Sequence, residues 1–283
     1  MSGSFKAACI QVNAGLDMAK NLSVAAGLVR EARAQGADLI ALPENVARMT
    51  VNGSQIRAGA HAPEDHPALE AFRTLACDTG AWLLVGSIGI KAGGGKVANR
   101  SYLLDNAGAI AGFYDKIHMF DVDLPSGQRF RESEGFQAGD RACVYDTPWG
   151  PIGMSICYDL RFPQLYRALA QGGASYLVVP AAFMYETGKA HWHILLQARA
   201  IETGSYVIAP CMWGEHEGGW RTYGHSLIVD PWGEILADGG EGVGIVMAEI
   251  DPQRVAKARA QIPALQHGRP FAMPERPSEE SAA

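Results

Sequence analysis

Three residues with the chemistry for acyl transfer each follow an apolar segment that stops abruptly. Cys157 follows "PIGMSI", Glu44 follows "DLIALP", and Lys116 follows "AIAGFYD". A thiol can attack a carbonyl carbon if a base takes its proton and a cation or N–H group steadies the oxyanion. A partly buried Glu44 could be that base, and Lys116 could polarise the carbonyl. Each residue also has an ordinary explanation. A lone Glu or Lys is more often a solvated surface charge, and Cys157 taken alone is equally well explained as a small buried hydrophobe. Their shared position adds weight: all three lie at strand ends, which can converge on one sheet edge where ligands bind.

The segments around them decide whether that is geometrically reasonable. Pro163 cannot extend a strand interior and favours a first helical turn, so the chain must turn within "CYDLRF". Such a turn exposes Cys157 at the carboxyl edge of a sheet, where the nearby helix N-terminus would lower the thiol pKa. Upstream, "FKAACIQVN" reads as a strand, Leu22 to Ala34 as a helix closed by Gly36, and "DLIALP" as a short strand stopped by Pro43. A helix from Pro67 to Cys77 and the strand "WLLVGSI" follow, then a hairpin from Arg100 to Tyr114 through "NAGA". The second half repeats the rhythm. "ACVYDT" and "PIGMSI" flank the turn "PWG", and a helix runs from about Phe162 to Gln171. The strand "SYLVV", the helix "GKAHWHILLQARAIET", the strand "SYVIAP", a hairpin of "HSLIVD" and "EILAD", and the strand "VGIVMAEI" complete it. Helices among hairpins and βα units indicate a layered α/β domain with mixed sheets. No linker divides the chain, so one domain over 1–272 is expected, followed by a fraying tail over 273–283 rich in Pro, Glu and Ser.

Composition narrows the partners. The 283 residues are 48% hydrophobic with a net charge of −6, enough apolar material for a core. That charge gives no electrostatic reason to expect nucleic acid or an anionic membrane. No apolar run reaches the roughly 18–20 residues of a bilayer span and no signal pattern opens the chain, so a cytoplasmic protein acting on small molecules is expected. The five cysteines are scattered and odd in number, unlike a disulfide framework or a Cys-x-x-Cys site. "GGG" at 93–95 is too short and wrongly placed for a phosphate loop, and no dinucleotide fingerprint follows a strand. No cofactor is expected.

"LPEN", "YDKIHMFD" and "SICYDLRFP" resemble, in order, the three signature motifs of the nitrilase superfamily of carbon–nitrogen hydrolases, with similarity from about Phe5 to Phe271. The resemblance implies a four-layer α-β-β-α sandwich that pairs through its helices into a homodimer. It also implies a triad of Glu44 as general base, Lys116 as oxyanion partner with the backbone N–H of Tyr158, and Cys157 as nucleophile forming a thioester. A second glutamate that positions Lys and substrate falls on Glu132 in "FRES", with Glu134 its less favoured neighbour. "TGKAHWHILLQARAIET" and "YGHSLIVDPWGEILA" further resemble the branch holding deaminated glutathione amidases and omega-amidases, leaning to the former. The expected substrate is a small amide that carries a carboxylate.

Other residues carry weaker signals. His191 and His193 are two apart on a helix and point to nearly opposite sides, so they cannot easily share an ion, and no metal is expected. A Cys–His dyad with His118 or His225 as base is the rival mechanism. Asp159 and Arg161 would form an ion pair or cap that fixes the turn, unless Arg161 instead grips a substrate carboxylate with its planar fork. Phe183, Tyr185 and Thr187 are candidates for the pocket wall.

Overall fold

The first strand, Phe5–Gln11 (β1), is apolar on both faces: Ala7 and Cys9 enter one buried cluster while Ala8 and Ile10 enter another. A strand buried on both sides belongs inside a layered structure. The computed structural model describes residues 3–123, 127 and 129–274. Of the expected tail, residues 275–283 lie outside the described residues.

Met18–Ala34 (α1), capped by the Asp17 carboxylate on the Lys20 N–H, returns the chain so that Leu39–Ala41 (β2) pairs in parallel with β1. Gly53–Gly59 (α2) and Pro67–Thr79 (α3) make the next crossover, and Trp82–Lys91 (β3) pairs in parallel with β2. Parallel neighbours require such crossovers. Val97–Leu104 (β4) and Ile110–Asp115 (β5) continue as the expected antiparallel hairpin. Asp121–Asp123 (β6) and Arg129–Arg131 (β7) form a small separate hairpin, followed by the single turn Glu132–Gly135 (α4) and Phe136–Gln137 (β8), which joins β4.

The second sheet repeats this plan. Cys143–Tyr145 (β9) is antiparallel to Ile152–Met154 (β10) across the "PWG" turn. Pro163–Gln171 (α5) leads to Tyr176–Val178 (β11), and Tyr185–Thr203 (α6) to Tyr206–Ala209 (β12), giving three parallel central strands. After a hairpin of Trp213–His216 (β13) and Trp220–Tyr223 (β14), Leu227–Val229 (β15) and Ile235–Asp238 (β16) extend the sheet antiparallel. Gly244–Ile250 (β17) then returns to the first sheet beside β1, and Gln253–Gln261 (α7) closes the described fold.

The two sheets face each other across one core. Phe5 of the first sheet stacks on Trp149 at 4.4 Å and meets the edge of Tyr176 from the second at 5.3 Å. α1 and α3 cover the outer face of the first sheet through Val29, Ala32, Leu69 and Phe72. On the second sheet, a Cβ added to Gly153 would press on Leu169 of α5, which places that helix against the outer face. The order is α-β-β-α, as expected. Among the described residues no helix is long and apolar enough to cross a membrane.

The differences from the sequence expectation have local causes. α1 starts four residues before Leu22, because Asp17 supplies the cap. α6 likewise begins at Tyr185, ahead of Gly188. The short α2, the β6–β7 and β13–β14 hairpins, and α7 carry mixed polar and apolar residues and showed no clean period.

Candidate active site

Glu44 sits past the end of β2, where Pro43 ends the ladder and Asn45 takes a left-handed turn with φ +57°. The Asn45 N–H donates to Ser87 Oγ at 2.8 Å, and β3 passes so close that a Cβ at Gly86 would overlap the Leu42 carbonyl oxygen. This turn aims the Glu44 carboxylate into the core. Its Oε1 accepts from Lys116 Nζ at 3.0 Å and from Asn99 Nδ2 at 2.9 Å, and its Oε2 accepts from the Ala182 N–H at 2.9 Å. Every one of these partners comes from a distant part of the chain.

Lys116 follows β5 and is buried, with its backbone tied to Asn99 and Gly139. Its Nζ lies between two carboxylates, donating to Glu132 Oε1 at 2.9 Å as well as to Glu44. Glu132 Oε2 accepts from the Phe120 N–H at 2.6 Å, which locks its rotamer. Glu132 is therefore the residue placed against the lysine. Glu134 lines the same cavity but is not among the residues bonded to Lys116.

Cys157 occupies the turn after β10 with φ +48°, a left-handed conformation that non-glycine residues seldom adopt. Residues Cys157–Arg161 form one 3₁₀ turn, and Pro163 opens α5 directly behind it. The Cys157 N–H is anchored on the Pro180 carbonyl at 2.9 Å. The Tyr158 N–H lies in the first turn of this short helix, where no earlier helical carbonyl can accept it.

Asp159 holds the turn. Fully buried, its Oδ2 accepts from Tyr114 Oη at 2.7 Å and from the Ile156 N–H at 2.9 Å, while Oδ1 accepts from the His118 N–H at 3.0 Å and His118 Nδ1 at 2.6 Å. A carboxylate only accepts, so His118 Nδ1 carries a proton here. Asp159 thus joins the cysteine turn to the segment bearing Lys116. Of the two expected forms, Asp159 is the cap that fixes the turn, and an Asp159–Arg161 ion pair does not form. Arg161 instead leans over the Phe183 ring at 5.2 Å and approaches His191 Nδ1 at 3.3 Å.

Burial alone would raise the Glu44 carboxyl, but the Lys116 ammonium outweighs it and holds the group below the usual carboxylate range. Burial would lower Lys116, yet Glu132 and Glu44 hold it well above its ordinary value. Burial, with the Glu44 charge adding to it, raises Glu132 above its ordinary value despite Lys116. For Cys157 the structure reverses the sequence expectation: burial first, and then the Glu44 carboxylate, push the thiol well above its ordinary value, with Lys116 opposing. Removal from water outweighs the pull of a one-turn helix end. A neutral thiol, an ionised carboxylate and a protonated amine thus share one buried corner.

This corner forms the floor of a cavity of about 560 Å³. Glu44, Lys116, Glu132, Cys157, Tyr158, Arg161, Phe183 and Thr187, all singled out from the sequence, line it. Tyr185 is not among the lining residues; it packs against Tyr223 and under the Arg221 guanidinium. Neither rival histidine reaches the thiol: His118 is bound to Asp159 and His225 to Asp238. The three key side chains do not share one sheet edge, since Glu44 and Lys116 come from the first sheet and Cys157 from the second. Sequence reasoning missed Asn99, which meets Glu44 only once β4 has joined the first sheet, and Tyr114 and the Ala182 N–H, whose contacts arise only when the two sheets meet.

The sequence profile of the family described as "carbon-nitrogen hydrolase" matches residues 6–260. The chain belongs to the carbon–nitrogen hydrolases. This hydrolase is 42% identical over 268 residues to a deaminated glutathione amidase of Synechocystis sp., covering 93% of this chain and 97% of that one. Its fold matches the NitFhit protein of C. elegans with a TM-score of 0.88 at 34% identity, covering 95% of this chain and 66% of that longer one. It also matches a variant of the amidase from Nesterenkonia sp. AN1 with a TM-score of 0.80 at 26% identity, covering 95% of each chain. That protein carries the acetamide moiety of fluoroacetamide covalently on its active-site cysteine.

Proposed function

We propose that this hydrolase cleaves the amide of deaminated glutathione through a thioester on Cys157. The chemistry rests on one observation above all: Glu44 and Glu132 grip the Lys116 ammonium beside the buried thiol. Glu44 takes the thiol proton as sulfur bonds to the carbonyl carbon. The oxyanion is stabilised by Lys116 and the Tyr158 N–H. The C–N bond then breaks, and the proton held by Glu44 goes to the departing amine. Water, deprotonated by Glu44, attacks the thioester and releases the acid and the thiol. Glu132 keeps Lys116 in place throughout.

The substrate choice is supported by the similarity to the Synechocystis amidase and by the cavity's charges. Deaminated glutathione carries a 2-oxo acid at one end and a carboxylate at the other. Of the cavity's cations, Lys116 already binds two carboxylates, while Arg129 and Arg131 bind Asp123. Among the described residues, Arg57 and Arg161 line the cavity without an acidic partner and suit a substrate with two anionic ends. Phe183 and Thr187 would frame the chain between them. The test is amine or ammonia release from deaminated glutathione, 2-oxoglutaramate, succinamate and an N-carbamoyl amino acid. The expected order puts deaminated glutathione first by kcat/KM, and a carbamoyl compound that equals it overturns the assignment. A folded Cys157→Ala protein with retained turnover overturns the mechanism, whereas a parent protein that turns over none of these compounds and shows no acyl-enzyme on Cys157 by mass spectrometry is better read as an interaction protein of the same fold.

We also propose a homodimer built on α6. Ile194 and Ile201 lie one heptad apart on that helix, 69% and 58% exposed, and Trp232, next in sequence to the Gly233 that lies against Ile201, is 58% exposed. Light scattering should give twice the 30.3 kDa chain mass, and Ile194→Glu should yield the monomer. A cytoplasmic setting fits the five cysteines, all of them free.

A further inference from the structure

α6 carries two histidines that part company. His191 turns to Arg161, while His193 faces the β15–β16 hairpin, where its Nε2 lies 3.0 Å from Asp238 Oδ2. His225, in the link between β14 and β15, brings its Nδ1 to 2.9 Å from Asp238 Oδ1 and 3.2 Å from Oδ2. The three donor atoms all lie within 4.8 Å of one another and come from three separate elements. None of these residues lines the catalytic cavity.

The surroundings fix each of them. His225 is held at φ +51°, its N–H on the Gly240 carbonyl at 2.9 Å and its own carbonyl on Trp192 Nε1 at 2.8 Å. Its ring stacks on Tyr223 at 4.3 Å, and His193 meets the edge of the same ring at 5.9 Å. Asp238 Oδ1 accepts from the Gly240 N–H at 2.8 Å. A non-glycine residue kept in the left-handed region, with its ring and both backbone groups pinned, points to a positional requirement.

We propose that His193, His225 and Asp238 form a three-ligand site for a divalent transition metal of the zinc class, with water in the fourth position. Zinc holds nitrogen and oxygen ligands at about 2.0–2.2 Å, so tetrahedral ligand edges are roughly 3.3–3.5 Å. The two N···O pairs need to open by only a few tenths of an ångström. Two imidazoles with one carboxylate favour zinc, cobalt or nickel over magnesium or calcium. All three side chains are partly open to water, which leaves room for the ion to enter. The bound metal would tie α6 to β16 and act on stability.

The test uses tag-free full-length protein in a Cys157→Ala background, so that the catalytic thiol takes no metal. Zinc titrated calorimetrically should bind one to one and raise the melting temperature with concentration. Cobalt should give the visible absorption of a tetrahedral nitrogen–oxygen site. His193→Ala and Asp238→Asn should each weaken binding at least about tenfold, while His191→Ala binds like the parent. Circular dichroism without metal checks that each variant is folded, and His193→Ala decides if Asp238→Asn is not. No saturable zinc binding overturns the proposal, as does parent-like affinity in His193→Ala or equal stabilisation by magnesium.

Discussion

Replacing Asp159 with asparagine keeps the side chain's shape and removes half of its accepting capacity. All four groups around this carboxylate are donors: Tyr114 Oη and the Ile156 N–H on one oxygen, and the His118 N–H and Nδ1 on the other. Asparagine has one oxygen, so whichever way it is turned its NH₂ must face one backbone N–H, that of Ile156 or of His118, which can only donate. At least one hydrogen bond to a charged acceptor is lost, at about 1.5–3 kcal/mol, and those that remain lose their charge assistance. Each kcal/mol lowers the melting temperature of a chain of this class by roughly 2–4 °C. Tyr114→Phe removes one of the four bonds and should cost about 1.5–3 kcal/mol. Added to Asp159→Asn it should cost less than it does alone, because the hydroxyl then has no charged acceptor to lose. The same anchors set the Cys157 turn relative to the Lys116 segment, so kcat should fall on the order of 10²-fold. Urea unfolding with amine release measures both effects. If Asp159→Asn unfolds within about 1 kcal/mol of the parent and turns over at the parent rate, the reasoning that Asp159 positions the nucleophile is wrong.

Three further outcomes can be checked. Glu44, the base, is held below the ordinary carboxylate value of 4.5 while Glu132, which keeps Lys116 in place, is raised above it, so kcat/KM should fall on the acid side first as Glu132 and then as Glu44 takes up a proton. On the alkaline side it should stay flat to pH 9, since Cys157 and Lys116 titrate well above 9.0 and 10.5; a rise tracking an ordinary thiol contradicts this. Gly86→Ala forces a methyl group into the Leu42–Pro43 backbone beside Glu44, and should destabilise by roughly 1–3 kcal/mol or more in chemical unfolding while reducing turnover. Unchanged stability would mean the close approach is unimportant. Arg161→Gln should raise KM for a carboxylate-bearing amide about 10–150-fold, the worth of a charge-assisted hydrogen bond, and leave a neutral amide little affected. Equal loss on both substrates would assign Arg161 to the turn alone.

The parts of this site legible in the sequence are those set by local chain chemistry. Pro43 and Pro163 fix where strand and helix must stop or start, and so locate Glu44 and the Cys157 turn within a residue or two. The apolar strands and the helices between them also gave the layered plan. Asn99 looks like any polar residue in an antiparallel strand, and its role depends on Glu44, 55 positions away. The raised Cys157 thiol shows the same limit. A helix start can be seen in sequence, but burial and a carboxylate from another sheet cannot. Arg161 and Asp159 are neighbours in sequence, yet Asp159 turns inward to four donors and Arg161 outward to the cavity.

The Glu44–Ala182 hydrogen bond runs between sheets, from the carboxylate after β2 to the backbone after β11. Base and nucleophile therefore belong to separate halves of the chain and become neighbours only when the two sheets dock. A refolding intermediate with both sheets formed but apart would have native-like circular dichroism and no turnover. Recovery of amide hydrolysis during refolding is thus a clock for docking itself, separable from the earlier formation of secondary structure.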